Sequence, residues 1–286
     1  MAASSLNAPE RHSSALVETP IVRVYDVSCR APRSPYGSLE VGGVAQVILP
    51  RRGVFIVERR GEPMVVDTTT ALVIGADEEY RVSHPGAAGD DCTVVVLPPD
   101  LLEQAVGGVD GRSGTLRPRD HLATCLVTRA LRDRSADRLE VEDASLLLVA
   151  ALSQMFGRSA CENGQHLGAA QRARVEQVRA ILASSPAERW DLSAVARAVH
   201  CSPFHLARQF RAVTGETISR YLLRLRLNLA VERLAEGERD LAALALATGF
   251  AHHSHFSARF RSVFGMTPTA ARELSKIVTA EPVPSP

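Results

Sequence analysis

The sequence predicts an α+β chain in two parts. An antiparallel β-barrel or sandwich with helices behind it comes first, and an all-α part with two helix-turn-helix units follows. Three observations carry this. Short Val- and Ile-rich runs between residues 21 and 97 are separated by turn residues, the pattern of strands about five residues long. Beyond residue 120 the apolar spacing switches to the helical period. The C-terminal part then repeats itself at an offset of 49–50 residues. A length of 286 residues suits two domains. Hydrophobic content of 45% and charged content of 23% exclude a wholly disordered, collagen-like or disulfide-scaffold protein.

Residues 1–19 are polar and small and read as a disordered tail, without the basic start and apolar core of a secretory signal. Strands are expected at 44–49, 54–57, 64–66, 71–74 and 93–97. Breaks are expected at 50–53, 59–63, 75–79 and 84–91. A helix at 121–134 carries Leu122, Cys125, Leu126 and Ala130 on one face. A second at 140–156 carries Leu147, Ala151 and Met155. The first domain is therefore set at 20–160, a glycine-bearing linker at 161–170, a helical domain at 171–278 and a second disordered tail at 279–286. No apolar run approaches the ~20 residues of a membrane span, so no membrane partner and a cytoplasmic location are expected. Five dispersed cysteines without a C-x-x-C fit reduced thiols better than disulfides or a zinc ribbon.

The net charge of +1 conceals an asymmetry: residues 171–286 sum to +6 and the rest to −5. A basic module joined to an acidic one suggests a polyanion partner. The repeat sharpens this. Leu192-Ser-Ala-Val195-Ala196 matches Leu241-Ala-Ala-Leu244-Ala245, and the eleven residues from His205 to Gly215 match those from His255 to Gly265. Each copy reads as a short helix, a tight turn and a longer helix, so helix-turn-helix motifs are expected at about 192–213 and 241–264. Ser202 caps the second helix of copy one, with Pro203 at its first position; Thr267-Pro268 opens the last helix in the same way.

On a helical wheel Leu206, Phe210 and Val213 form the core face of the longer helix in copy one. Phe204, Arg208 and Arg211 lie opposite, flanked by His205. An aromatic and two arginines facing solvent suit the major groove, where arginine donates twice to guanine. In copy two Phe256, Phe260 and Val263 form the core face, and Ser254, Ala258 and Arg261 the opposite one, with His253 and His255 at its start and flank. Ala258 stands where copy one has Arg208, and Arg259 points aside, so this helix is expected to hold phosphate more than read bases. The expected DNA-binding set is Ser202, Phe204, His205, Arg208, Arg211, His253, Ser254, Ser257, Arg259 and Arg261. The run His252-His253-Ser254-His255 lacks a fourth ligand and reads as a helix start facing phosphate, so no metal is expected there. Between the copies, a helix at 221–234 is apolar along two stripes. It reads as a rod that spaces two recognition helices one DNA turn apart, for two successive major grooves.

The segment 192–272 resembles the DNA-binding domain of the AraC/XylS family of bacterial transcription regulators. The resemblance rests on Ser202-Pro-Phe-His-Leu-Ala-Arg208-Gln-Phe-Arg211, Tyr221-Leu-Leu-Arg224-Leu-Arg226-Leu and Gly249-Phe250. It continues through Ser254-His255-Phe256, Phe260-Arg261 and Gly265-Met-Thr-Pro268-Thr-Ala-Ala-Arg272. Two positions depart from the family pattern: Ala258, where an arginine is frequent, and Ala271, where an aromatic is frequent. The resemblance implies a transcription regulator, in family tendency an activator. It also implies a cupin-like N-terminal barrel sensing a small-molecule effector, dimerising helices behind it and, for an activator, contact with RNA polymerase. No sensor ligand residue is carried over.

No nucleotide-binding loop, G-x-S-x-G or dinucleotide fingerprint occurs. With His12, His84, His121 and His166 as the histidines before residue 171 and no H-x-H, the barrel lacks a cupin enzyme's ligand set. No catalytic residue and no cofactor are expected. Cys29, His84 and Cys92 supply the alternative, a redox- or metal-responsive regulator of the same fold. Their plainer reading is two buried strand cysteines and a loop histidine.

Overall fold

The computed structural model describes residues 10–30, 35–107, 113–132, 138–156 and 168–277. Strands β1 (Glu10–Glu18), β2 (Arg23–Arg30), β3 (Glu40–Val41), β4 (Gln46–Arg59), β5 (Glu62–Asp67), β6 (Thr70–Ile74), β7 (Glu79–Ser83), β8 (Asp90–Val96) and β9 (Ser113–Thr115) pair antiparallel throughout. The main sheet runs β1-β2-β8-β4-β6-β9. The far half of β4 pairs with β5 and β7, and β3 extends β7. The fold is α+β, with the strands collected in the N-terminal part.

β4 is one long bent strand where the sequence suggested two. Pro50 has no N–H to donate and the register slips between Pro50 and Arg52. Gly53 follows at φ 82, so close to the carbonyl of Gly89 that any side chain would collide. The 50–53 segment therefore bends the strand instead of ending it. Period-2 alternation then sorts the core. Val27, Phe55, Val57, Leu72, Cys92 and Val94 fill the space between the two halves of the sheet. Val24, Val47, Leu49, Val73 and Val95 face the helices α1 (Pro99–Val106) and α3 (Arg138–Phe156).

The expected tail at 1–19 is corrected over its second half: residues 10–18 are β1, hydrogen-bonded along β2, with Val17 buried. Polar alternation on an exposed edge hid that strand. Residues 1–9, the 279–286 tail and most of the proposed linker lie outside the described residues. β2, β3, β7, β9 and α1 were not among the expected elements either.

Of the two helices expected to offer apolar faces to a second subunit, several residues are packed within the chain. Leu122 and Cys125 of α2 (Pro118–Arg132) are buried against the long helix α7 (Ile218–Ala235), and Leu126 packs beside them. Leu148, Leu152, Met155 and Phe156 of α3 are buried on the sheet. These residues are taken within the chain, whereas Leu146 of α3 is 54% exposed. The side chain of Leu147 lies outside the described residues.

The remaining helices are α4 (Ala169–Ser184), α5 (Leu192–Ala198), α6 (Pro203–Thr214), α8 (Leu241–Ala247), α9 (His253–Phe264) and α10 (Pro268–Ile277). The first half of α7 packs Tyr221, Leu222 and Leu225 with Val195, Leu206 and Phe210. Its second half packs Leu227, Ala230, Val231 and Leu234 with Leu244, Phe256 and Phe260. The rod between two units is thus present. Neither core is closed, however: Val54 and Val65 of the sheet join the first, and Leu122 and Cys125 join the second. No described helix is long and apolar enough to cross a membrane.

Candidate DNA-recognition surface

Each helix-turn-helix unit is built by local chemistry. Asp191 accepts from the Ala194 amide at 2.8 Å and opens α5, and Ser202 accepts from the His205 amide at 3.3 Å and opens α6 behind Pro203. Asp240 accepts from the Ala242 and Ala243 amides, both at 2.9 Å, and opens α8. Such caps satisfy amides that lack a partner within the helix. The turns correspond too. His200 in the first and Gly249 in the second both adopt the left-handed conformation, at φ 50 and φ 86. A Cβ at Gly249 would fall 2.7 Å from the carbonyl oxygen of Ala187, so that site demands glycine. Gly215 and Gly265, at φ 75 and φ 78, end α6 and α9 alike.

The recognition helices then show two unlike outer faces. On α6, Leu206 and Phe210 are fully buried. Phe204 is 75% exposed, and Ser202, His205, Arg208 and Arg211 are also exposed. Arg208 and Arg211 head a solvent-facing stripe next to that bare aromatic ring. On α9, Phe256 and Phe260 are buried, and His253, Ser254, Ala258, Arg259 and Arg261 are exposed. Ser257 is half-buried, with its hydroxyl 3.3 Å from His253 Nε2. Arg259 lies along the flank, its Nε donating to His255 Nε2 at 3.3 Å. The α9 face therefore offers small residues and Arg261 where α6 offers an aromatic and two arginines.

Sequence reasoning missed the other side of this domain. Tyr221, Arg224, Asn228 and Glu232 form a third, polar stripe on α7 that is turned toward the N-terminal domain. Arg51, 1% exposed, donates to Glu232 Oε1 at 3.0 Å, Thr93 Oγ1 at 2.7 Å and Asp26 Oδ1 at 2.7 Å; Arg132 holds the second oxygen of Asp26 at 2.8 Å. Burial would raise the pKa of Asp26; its bonds to Arg132 and the charge of Arg51 outweigh that and lower it. Asp67 accepts from Tyr221 Oη at 2.6 Å, Arg179 Nη2 at 3.0 Å and the Thr69 amide at 2.7 Å. Its carboxyl is likewise held below the ordinary range, because the Arg179 charge and these hydrogen bonds exceed the burial cost. Asn228 Nδ2 donates to the Thr68 carbonyl at 2.8 Å, and the Asn228 carbonyl accepts from His121 Nε2 at 3.2 Å. Burial drives the His121 pKa down to about 4. The signal in the sequence was the i, i+4 pair Asn228 and Glu232, set among Leu225, Leu227, Leu229 and Val231.

Residues 195–274 match the family model described as a helix-turn-helix domain. The chain is 37% identical over 83 residues to an AraC-like transcription regulator of Streptomyces antibioticus, a match covering 29% of this chain and 27% of that one. It is 42% identical over 67 residues to the transcriptional activator RhaS of Pectobacterium carotovorum, covering 23% of this chain and 24% of RhaS. With the transcriptional regulator LumQ of Photobacterium leiognathi it shares 27% identity over 222 residues, 73% of this chain and 84% of LumQ. The match thus spans about a quarter of the first two relatives and most of the third. Two capped helix-turn-helix units on one connecting helix make residues 195–274 a helix-turn-helix domain, similar in sequence to the corresponding part of AraC-like transcription regulators.

Proposed function

We propose that this chain is a sequence-specific DNA-binding transcription regulator, and an activator, acting in the cytoplasm as a homodimer under control of a small-molecule effector. RNA polymerase is then its second macromolecular partner. The observation that carries the reading is the outer face of α6, where Phe204, Arg208 and Arg211 stand exposed on a rigidly capped helix. Exposed aromatic surface beside arginines is poorly suited to water and well suited to a groove. The +6 balance of residues 171–286 supports it. In this reading Arg208 reads a base edge, Ser202, His205 and Arg211 steady the helix on its groove, and Phe204 makes the apolar contact. His253, Ser254 and Arg261 hold phosphate from α9, with Ser257 and Arg259 at its margin. RhaS, an activator by its description, supports the activating role.

The test is anisotropy of labelled duplex DNA against the full chain at increasing salt. Six or more phosphate contacts predict an affinity loss on the order of 10³ between 50 and 200 mM salt. An affinity that stays flat over that range contradicts the reading. Sedimentation at micromolar concentration should give a dimer. The buried α2 and α3 residues named above are taken within the chain, so the dimer is expected to use residues outside that set; a chain that stays monomeric removes that part of the proposal.

A further inference from the structure

Inside the barrel, away from both faces described so far, four metal-ligating side chains converge. Cys29 on β2 and Asp90 at the start of β8 are direct register partners, so their side chains leave the same side of the sheet. Cys92, two residues along β8, points the same way. His84 follows β7 and closes over them. Its Nε2 lies 3.2 Å from Asp90 Oδ1, and Cys92 Sγ lies 3.8 Å from Asp90 Oδ2. One donor atom from each of Cys29, His84 and Asp90 lies within 4.8 Å of the others, and all four residues are buried.

We propose that Cys29, His84 and Asp90, with Cys92 as fourth ligand, bind one zinc-like divalent transition-metal ion. Tetrahedral coordination with zinc–sulfur bonds of about 2.3 Å and zinc–nitrogen bonds of about 2.0–2.1 Å needs donors separated by roughly 3.3–3.8 Å. The donors of Cys29, His84 and Asp90, all within 4.8 Å of one another, stand at most about an ångström beyond that, and Cys92 Sγ, 3.8 Å from Asp90 Oδ2, completes the set by a side-chain shift. Two sulfurs, an imidazole and a carboxylate select a borderline-soft ion over magnesium or calcium. The cysteines bind as thiolates and His84 as the neutral ring through Nε2. A buried histidine–carboxylate pair alone explains His84 and Asp90, but it does not require Cys29 and Cys92 to be brought beside it from two strands.

The position also suggests what the ion governs. Thr93, next to Cys92, accepts from Arg51, and Pro50, the register partner of Cys92, precedes Arg51. The ion is therefore one residue along each strand from the Arg51–Glu232 contact that holds α7. Metal occupancy then biases the docking of the DNA-binding domain. This coupling rests on the regulator reading; the metal site does not.

The metal-stripped full chain is titrated with cobalt(II) and followed by absorbance. One equivalent should give a thiolate-to-cobalt charge-transfer band with tetrahedral d–d bands, and one equivalent of zinc should abolish both. Cys29→Ser and His84→Gln should lose the signal, and Cys201→Ser, a half-buried thiol outside the cluster, should keep it. A folded wild-type chain without a thiolate band overturns the site whatever the variants do, as does a band surviving in Cys29→Ser/Cys92→Ser. DNA binding is measured on the stripped and zinc-loaded chain. Equal affinities overturn the coupling. A cobalt site in a chain that binds no DNA overturns the regulator reading and leaves the metal site standing.

Discussion

The C-terminal domain has two working faces, and they obey opposite rules. The outer face of α6, the proposed recognition face, carries Phe204, Arg208 and Arg211 exposed to water, with no buried partner among the described residues. The docking face of α7 carries Tyr221, Asn228 and Glu232 in the dry interior, each held by a partner from the N-terminal domain or from α4. A charge on the first face can be removed with little effect on folding, and its loss is felt in binding. A charge on the second face is fixed by what it would leave behind, since a buried ion without its partner costs far more than the pair contributes. The same residue type, arginine, is thus a structural clamp at position 51 and, in the proposed function, a reader at position 208.

The comparison is broken most strongly at the clamp. Arg51→Met strands the Glu232 carboxylate in the interior, while Asp26 keeps Arg132. Urea unfolding should show a loss of about 3–5 kcal/mol. The double change Arg51→Met/Glu232→Leu removes both charges and should recover most of that loss. A single variant within 1 kcal/mol of wild type would show that the docked arrangement contributes little.

Next in size is a pH effect at His121, which touches the docking face through the Asn228 carbonyl. Its folded pKa of about 4 lies below the ordinary 6.5. The unfolded chain therefore takes up this proton first as pH falls, and stability is lost from about pH 6.5 down toward 4. Between pH 7 and 5 the loss is about 2 kcal/mol. Urea midpoints of wild type and His121→Gln at the two pH values isolate it; parallel shifts in the two proteins would contradict the assignment.

Smaller effects belong to the scaffold of the recognition face. Asp240→Ala removes the cap of α8 and should cost about 1 kcal/mol. His200→Gly relieves a left-handed residue in the first turn and should stabilise by about 0.5 kcal/mol, measured by thermal unfolding. The corresponding Gly249→Ala must destabilise, since its Cβ meets Ala187.

What was legible in the sequence follows the same division. The helix-turn-helix units are specified locally, by caps such as Ser202 and Asp240, by turn residues and by a core stripe spaced three and four residues apart, so a linear reading finds them. The outer face is then whatever the core stripe leaves exposed. Docking is specified by pairs such as Arg51 and Glu232 or Asp67 and Tyr221, which lie far apart in the chain. No local period announces them. The apolar faces of α2 and α3 show the limit of periodicity: it says that Leu122 and Met155 are covered, not by what. β1 was missed for a related reason, because an exposed polar edge strand has no apolar alternation to reveal it.

The central claim is that α6 reads sequence and α9 holds backbone, and selection of binding sites from a random DNA pool tests it directly. The wild-type chain should enrich a defined motif. Arg208→Ala should relax the preference at one base position and lose about 1–3 kcal/mol on the best site, as expected when a bidentate arginine–guanine contact is removed. Arg261→Ala should keep the full motif, bind every sequence more weakly and reduce the salt slope by about one. An Arg208→Ala chain that retains the complete wild-type motif, or an Arg261→Ala chain that loses preference at one base, would contradict the account.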